Sequence, residues 1–454
     1  MDYLNRFYTL IRDLMNSSSL SGRLSRNAVG SVIVRVAAVL LAFFVNVVLA
    51  RSLGVSEYGL FVYAVGWLNI LLILANFGFD KLLVREIAIY QSHEEWGKLK
   101  GIYQFSATRT AAIALVIGFF LFGIIYFITR SHSYAPVFYL VALLVPILAL
   151  MRIQQATLQG LNFIAVGQLP ELVIQPLILL ILILAFFYSL GPSLIASQIM
   201  ILNVIAGSVA LFVGSRLVRR SFPLKTFEAH KIVDSHNWLP SLAPLMLVGG
   251  IYILNDQLAT VLLGSLSDSR QVAIFSVAER WSRFIVFMLY SLNPALAPIF
   301  ASLYAHNEKE RLQRVVTLSA QVIAFFALIP LLAFAIAPKL FLSVFGNEFS
   351  LARIPLMILS VGQFMNAFTG SVGVLLSMTG YERIVVLGAG VGIAVNLLVG
   401  FLLIPDLHAT GAAIGTSASA IVTNIVLSIF VFHKLKLFPT ALGSFFARKE
   451  IASM

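Results

Sequence analysis

The chain is organised around one stretch, residues 49–86, which reads LARSLGVSEYGLFVYAVGWLNILLILANFGFDKLLVRE. It contains the end of one apolar run, a short polar turn, a second apolar run and a basic loop with Lys81 and Arg85. About 20 apolar residues are enough for a helix to cross a bilayer. The same plan recurs along the chain, and it predicts a membrane protein built from helical hairpins.

The composition of the 454 residues agrees with this prediction. The chain is 60% hydrophobic and 11% charged, whereas about a quarter of the residues in soluble domains are charged. The net charge of +12 would suit nucleic acid in a soluble protein, but membrane proteins concentrate Lys and Arg in cytoplasmic loops beside anionic lipid. We therefore expect membrane lipids and no nucleic acid as partners. The absence of Cys excludes disulfides and thiolate metal sites.

Apolar runs separated by short turns predict an all-α membrane protein with twelve transmembrane helices. The predicted spans are 27–50, 57–79, 105–128, 135–157, 169–189, 193–214, 239–263, 273–298, 315–337, 354–378, 384–404 and 411–432. Alternate connections carry twenty-two Lys and Arg residues on one side and five on the other. By the positive-inside rule, this bias predicts cytoplasmic N- and C-termini.

The longest connection, the basic segment 215–238, divides the chain into two predicted six-helix bundles, 27–214 and 239–432. Residues 433–454 are predicted to be a cytoplasmic tail. Residues 1–26 are predicted to be a cytoplasmic segment, and their apolar side chains repeat on one helical face over 3–15, which indicates either an interfacial helix or a frayed tail.

The two halves share sequence features at constant separations. Leu49, Ser52, Leu53 and Ser56 match Leu262, Ser265, Leu266 and Ser269 at a separation of 213, and Gly160, Gly191 and Ser197 match Gly380, Gly411 and Ser417 at 220. Because each half has an even number of predicted spans, the two copies share one orientation. This predicts a parallel internal repeat about an axis along the membrane normal.

Catalytic motifs are missing from the sequence. It contains no phosphate-binding glycine loop, no His-Glu-x-x-His and no Gly-x-Ser-x-Gly. The seven His residues lack metal-ligand spacing. We therefore predict no enzyme activity, catalytic residue, metal site or cofactor. Gly388 and Gly392, four residues apart in one span, predict close helix packing.

Charged residues inside the predicted spans are the candidate functional groups, because an Arg at the bilayer centre costs about 2.5–3.5 kcal/mol on the insertion scale. They are Arg35 in the first span, Asp256 in the seventh, and Glu279, Arg280 and Arg283 in the eighth. Arg109 and Glu171 lie close to span ends, from which they can reach the interface. Two structural explanations stay open. Glu279 and Arg283 have the i, i+4 spacing of a helical ion pair, and Asp256 and Arg280 lie at similar depth in a hairpin.

Arg35 has no acidic neighbour within one helical turn. It is therefore the strongest candidate for a cation that is reserved for an anionic ligand. Guanidinium suits such a role because it stays charged and can bind phosphate through two hydrogen bonds.

Several short motifs resemble the polysaccharide biosynthesis (Wzx-type) oligosaccharide flippases of the multidrug/oligosaccharidyl-lipid/polysaccharide exporter superfamily. They are ARSLG at 50–54, EYGLF at 57–61, NFGFD at 76–80, LVRE at 83–86, NDQ at 255–257, AER at 278–280, TG at 379–380 and GAA at 411–413. The resemblance covers nearly the whole chain. It is specific to the family and not to one substrate.

The resemblance implies that the chain moves an undecaprenyl-diphosphate-linked glycan from the cytoplasmic to the periplasmic leaflet by alternating access, for cell-surface polysaccharides such as O-antigen, lipopolysaccharide or exopolysaccharide. It implies a bacterial inner-membrane location. Arg35, Arg280 and Arg283 would then hold the diphosphate, and Arg51 would lie at the outer mouth. Asp256 or Glu279 would bind a coupling cation or proton.

Three other functions stay open at this point. A multidrug cation exporter of the same superfamily would favour acidic and aromatic residues in its cavity, and Arg35 would repel its cargo. A membrane polysaccharide-assembly enzyme, such as a glycosyltransferase or polymerase, usually carries a large external loop, whereas the predicted external connections are short. A third option is a scaffold in a polysaccharide-assembly complex.

Overall fold

The structure, a computed structural model, describes residues 20–128, 134–190 and 194–443. These residues are nearly all helical and contain no strand. The predicted all-α class is therefore confirmed. The predicted interfacial helix over 3–15 lies outside the described residues.

The helices are numbered here in chain order. The first eight are α1 Leu20–Asn76, α2 Phe79–Ser92, α3 Trp96–Ile128, α4 Ala135–Gly160, α5 Ile164–Leu169, α6 Gln175–Leu190, α7 Ala196–Ser221 and α8 Leu224–Glu228, with a π turn at Pro170–Ile174. The others are α9 Ser235–Leu266, α10 Ser269–Ser282, α11 Phe287–Ala305, α12 Lys309–Ile336, α13 Pro338–Leu342, α14 Arg353–Thr369, α15 Val372–Met378 and α16 Glu382–Leu435, with a 3-10 turn at Asn347–Ala352.

Ten helical segments in the described part of the chain are long and apolar enough to cross a membrane. Two of them, Val34–Asn76 and Glu382–Leu435, are 43 and 54 residues long, whereas about 20 residues cross a bilayer. Each is interrupted by one residue with non-helical dihedral angles, Gly54 in α1 (φ 73°) and His408 in α16 (φ 49°). The protein is a multi-pass membrane protein, and the count of twelve spans stays a prediction.

The predicted continuous eighth span, 273–298, is wrong, because the helix breaks near its middle. Helix α10 ends at Ser282 and α11 begins at Phe287. Tighter i to i−3 hydrogen bonds replace the α-helical ones, from Phe284 N to the carbonyl of Trp281 at 3.1 Å and from Ile285 N to that of Ser282 at 3.0 Å. The predicted tenth span, 354–378, is also broken, at Gly370–Ser371 between α14 and α15.

The described residues form two compact units. The N unit comprises 20–52 and 68–250, and the C unit comprises 53–67 and 251–443. This division differs from the predicted halves 27–214 and 239–432, because the beginning of the second arm of α1 groups with the C unit and the first half of α9 groups with the N unit.

The core of the N unit lies where α2, α4, α7 and the beginnings of α3 and α9 meet. Its fully buried side chains include Leu82, Leu83, Leu99, Leu158 and Trp238. The Trp238 indole Nε1 donates to Tyr90 Oη at 2.9 Å. Burial raises the pKa of the Tyr90 phenol to about 12, so this acceptor is neutral at physiological pH.

We expect Tyr90→Phe to lower stability by about 1–3 kcal/mol, because it leaves the buried Trp238 N–H without its acceptor. The apparent melting temperature of the purified protein in detergent measures the change. Tyr188→Phe is the matched control, since Tyr188 is 95% exposed, and it should leave the melting temperature unchanged. Equal effects of the two substitutions would contradict a stabilising role for the Tyr90–Trp238 hydrogen bond.

The connection between α7 and α9, residues 222–234, is called the linker here. It is shorter than the predicted 215–238 because α7 continues to Ser221 and α9 begins at Ser235. It packs on the first turns of α3, where Ile232 N donates to the Gly97 carbonyl at 3.1 Å. A Cβ at Gly101 would overlap the Ile232 backbone. The linker is therefore held against α3.

The C unit has its core between α11, α12, α15 and the two arms of α16. Buried side chains there include Phe300, Leu312, Leu376 and Val431. The two arms of α16 approach closely at the predicted glycine pair, which is confirmed as a packing site. A Cβ at Gly388 would lie 2.7 Å from Leu427 Cδ2 and one at Gly392 would overlap Thr423 Oγ1.

Candidate functional site

Three of the predicted charged residues form one cluster in the C unit. Arg283 Nη2 donates to Asp256 Oδ1 at 2.8 Å and to Glu279 Oε1 at 3.0 Å. The Gln257 amide donates to the other oxygen of Asp256 at 3.0 Å. The predicted i, i+4 ion pair is thus present, and one guanidinium nitrogen bridges two carboxylates. With two acids and one base, the cluster carries one net negative charge when all three groups are ionised.

The cluster lies at the break between α10 and α11. Arg283 follows the last residue of α10, where a cation interacts favourably with the helix dipole. Ser282 Oγ donates to the Glu279 carbonyl at 2.8 Å, which also accepts the last α-helical hydrogen bond from Arg283 N at 3.1 Å. Non-helical backbone at membrane depth is tolerated where it is buried in protein or lines a cavity, and transporters place ion and substrate sites at such broken helices.

Arg280 is adjacent in sequence but has different partners. Its Nε donates to Tyr58 Oη at 3.1 Å, and Tyr58 is fully buried on the second arm of α1. The predicted Asp256–Arg280 pair is not formed, because Asp256 contacts Arg283 instead. Within the described residues, no carboxylate forms an ion pair with Arg280. Arg280 is therefore better placed than Arg283 to bind an anion through its two Nη groups.

The cluster is accessible on one side. The side chains of Asp256 and Arg283 are 47% and 49% exposed, whereas that of Glu279 is 17% exposed. Tyr252, one turn before Asp256 on α9, and Tyr290, on α11, are also exposed. The arrangement therefore offers a carboxylate and a cation together with neighbouring phenol groups.

The other two predicted cations, Arg35 and Arg51, belong to α1 in the N unit. The Arg35 side chain is exposed, and it forms no ion pair with a carboxylate in the part of the chain that the structure describes. Arg51 is exposed three residues before the Gly54 break. Their roles stay predictions.

Sequence reasoning missed a second polar cluster, in the N unit. Arg152 on α4 donates through Nε to Glu171 Oε1 and through Nη2 to Asn69 Oδ1, each at 3.4 Å. The structure places Glu171 on the π turn, where it faces Arg152. The sequence did contain a signal for this cluster. Glu171 directly follows Pro170 in the predicted span 169–189, and the preceding predicted span, 135–157, carries Arg152.

The family described as "Polysaccharide biosynthesis protein" matches residues 24–304. Among curated proteins, an uncharacterized membrane protein of Methanocaldococcus jannaschii is 22% identical over 416 residues, which is 83% of this chain and 77% of the relative.

Two solved structures illustrate the similarity in fold. A multidrug resistance MATE family transporter of the MOP superfamily, in an inward-facing conformation, has a TM-score of 0.68 at 14% identity and covers 89% of this chain and 98% of its own. The lipid II flippase MurJ, in an inward closed conformation, has a TM-score of 0.69 at 14% identity, over 90% and 88% of the two chains. The fold is that of MOP-type transporters.

Proposed function

Because the chain belongs to the polysaccharide biosynthesis protein family, we propose that it is a flippase for a lipid-diphosphate-linked oligosaccharide, with undecaprenyl diphosphate as the carrier. It moves this lipid from the cytoplasmic to the outer leaflet of the bacterial inner membrane by alternating access, with both termini in the cytoplasm. The product feeds cell-surface polysaccharides such as O-antigen or exopolysaccharide. The observation that carries the proposal is the charged cluster with Arg280 beside it, at a break in a helix.

In this proposal Arg280 and Arg35 bind the diphosphate. A guanidinium can grip a phosphate through two parallel hydrogen bonds, and neither side chain pairs with a carboxylate among the described residues. The Tyr58 hydroxyl fixes Arg280 through its Nε, which leaves the outer edge of the guanidinium for the ligand. Arg51 assists at the outer mouth.

Asp256 and Glu279 couple the cycle to a cation or proton. Both compete for Arg283, so neutralisation of one carboxylate weakens its hold on the guanidinium. Arg283 then becomes available to the anionic cargo. Binding of a cation and release of the Arg283 side chain are thereby linked, as an ion-driven transporter requires.

A multidrug cation exporter is the second candidate, because the MATE transporter has the same fold as this chain. Arg280 and Arg35 argue against cationic cargo, since like charges repel in a medium of low dielectric constant. The family and the fold are those of transporters, so a glycosyltransferase or polymerase activity is not proposed. Attachment to a polysaccharide-assembly complex is compatible with the flippase role.

Translocation of a labelled lipid-diphosphate oligosaccharide in proteoliposomes tests the proposal. We expect the wild type to transport it and the double variant Arg35→Ala, Arg280→Ala to lose at least about 100-fold in rate, because two charge-assisted contacts of about 1.5–3 kcal/mol each are removed. Arg353→Ala is the matched control, since Arg353 is exposed at the beginning of α14. Normal transport by the double variant would refute the site, and transport of cationic drugs alone would favour the second candidate.

A further inference from the structure

A cavity of about 270 Å³ lies in the N unit, between the first turns of α3, the last turns of α7 and the linker. One wall is aromatic. The rings of Tyr103 and Phe222 are 5.2 Å apart, and those of Phe222 and Phe227 are 6.3 Å apart, both in edge-to-face geometry. This wall suits the hydrocarbon part of an amphiphile.

The polar side of the cavity is formed by Lys100, Arg219 and Thr226. Lys100 Nζ is held by the carbonyls of Phe227 and Ala229, at 2.9 and 3.1 Å, and its charge still contributes to the potential. Arg219 is exposed and forms no ion pair with any carboxylate that the structure describes. Thr226 is 4% exposed, and its hydroxyl has no hydrogen-bond partner among the described residues. A cation and an unused hydroxyl donor thus line the same space.

The surface beside the cavity has the character of a membrane interface. Four apolar side chains of the linker are exposed: Leu224 at 82%, Phe227 at 48%, Ile232 at 50% and Val233 at 45%. Lys225 and Lys231 are exposed among them. Apolar side chains alternating with Lys are typical of segments that lie at the level of lipid headgroups and favour anionic lipid.

We propose that this cavity binds the headgroup of an anionic phospholipid. Arg219 and the Thr226 hydroxyl donate to the phosphate, Lys100 adds positive potential, and the aromatic wall contacts the beginning of an acyl chain. Basic pockets among membrane helices on the cytoplasmic side bind anionic headgroups in this way. The site shares no residue with the proposed transport site, so the two sites can be tested separately.

Lipid binding to the full chain, purified in a neutral detergent, tests the proposal. Phosphatidylglycerol is titrated and the bound fraction is measured by native mass spectrometry. We expect Arg219→Gln to weaken binding about tenfold, as the loss of one charge-assisted hydrogen bond implies. Thr226→Val, which keeps the side-chain shape, should weaken it about threefold, as the loss of a neutral hydrogen bond implies. Arg220→Gln is the matched control, because Arg220 is the exposed neighbour that does not line the cavity, and it should change binding by no more than about twofold at moderate salt.

Three results would overturn the proposal. Equal weakening by Arg219→Gln and Arg220→Gln would reduce the effect to general surface charge. Equal affinity for phosphatidylcholine would remove the role of negative charge. Displacement of the lipid by millimolar inorganic phosphate would indicate a site for free anions. The melting temperature of each variant without added lipid shows whether it is folded, and Thr226→Val alone decides the question if Arg219→Gln is unstable.

Discussion

Arg283→Ala is expected to slow translocation of the lipid-diphosphate oligosaccharide by about 100-fold, because it removes two charge-assisted hydrogen bonds worth about 1.5–3 kcal/mol each. The lower end of that range applies because the Arg283 side chain is half exposed. In the wild type one nitrogen of Arg283 holds Asp256 and Glu279. Without it, two carboxylates remain within about 6 Å of each other with no guanidinium between them. The proposed exchange between guanidinium and cation is then lost.

Initial rates in proteoliposomes measure this effect. Arg270→Ala is the matched control, since Arg270 is an exposed Arg near the beginning of the same helix, α10, and it should transport normally. Arg283→Lys keeps the charge but not the geometry of the guanidinium, and it should retain part of the activity. If Arg283→Ala is folded in detergent and transports at the wild-type rate, the cluster has no part in the cycle.

Gly59→Ala is expected to leave most of the protein molecules unfolded. Gly59, in the EYGLF motif, lies against the beginning of α10, and an added Cβ would overlap the carbonyl of Ser269 and lie 3.1 Å from Ala273 N. These neighbours are backbone atoms, which cannot rotate away. Overpacking of a close contact costs about 1–3 kcal/mol even where side chains can adjust, so we expect about 3 kcal/mol or more here.

The yield of monodisperse protein and its melting temperature in detergent measure the effect of Gly59→Ala. Gly390→Ala is the matched control, because a Cβ at this position in α16 meets nothing within 4 Å, and Ala is about 1 kcal/mol more favourable than Gly inside a helix. It should be neutral or stabilising. A normal yield and melting temperature for Gly59→Ala would mean that α1 and α10 are less closely packed than described.

The sequence identified the charged residues of the cluster because charge inside an apolar span is conspicuous. It also identified the i, i+4 pair of Glu279 and Arg283, since helical spacing fixes local neighbours. The Asp256–Arg280 pair, which the sequence left open, is not formed, because Arg280 donates to Tyr58 on α1 and Arg283 contacts Asp256 instead. No Pro or Gly occurs between Arg280 and Leu289, so the usual signals of a helix break are missing there.

The spans show the same contrast. The length of the apolar runs predicted where the helices lie. Gly54 and His408 interrupt helices near predicted turns, whereas Gly370 interrupts a helix inside a predicted span. The seating of the linker on α3 depends on tertiary contacts between residues more than 100 positions apart. Single-sequence patterns do not report such contacts, although the four-residue spacing of Gly97 and Gly101 was a usable indication of close packing.

The break after α10 also has an electrical consequence. Helix α10 has 14 residues, about 21 Å at 1.5 Å per residue, which is less than the roughly 30 Å of hydrocarbon in a bilayer. In the proposed topology α10 follows an outer turn, so Glu279 and Arg283 would lie inside the voltage drop of an energised membrane, with Asp256 in contact with Arg283. Moving one elementary charge through the full drop is worth about 2.3 kcal/mol per 100 mV, so every proton or cation that enters this cluster makes the transport cycle sensitive to membrane potential.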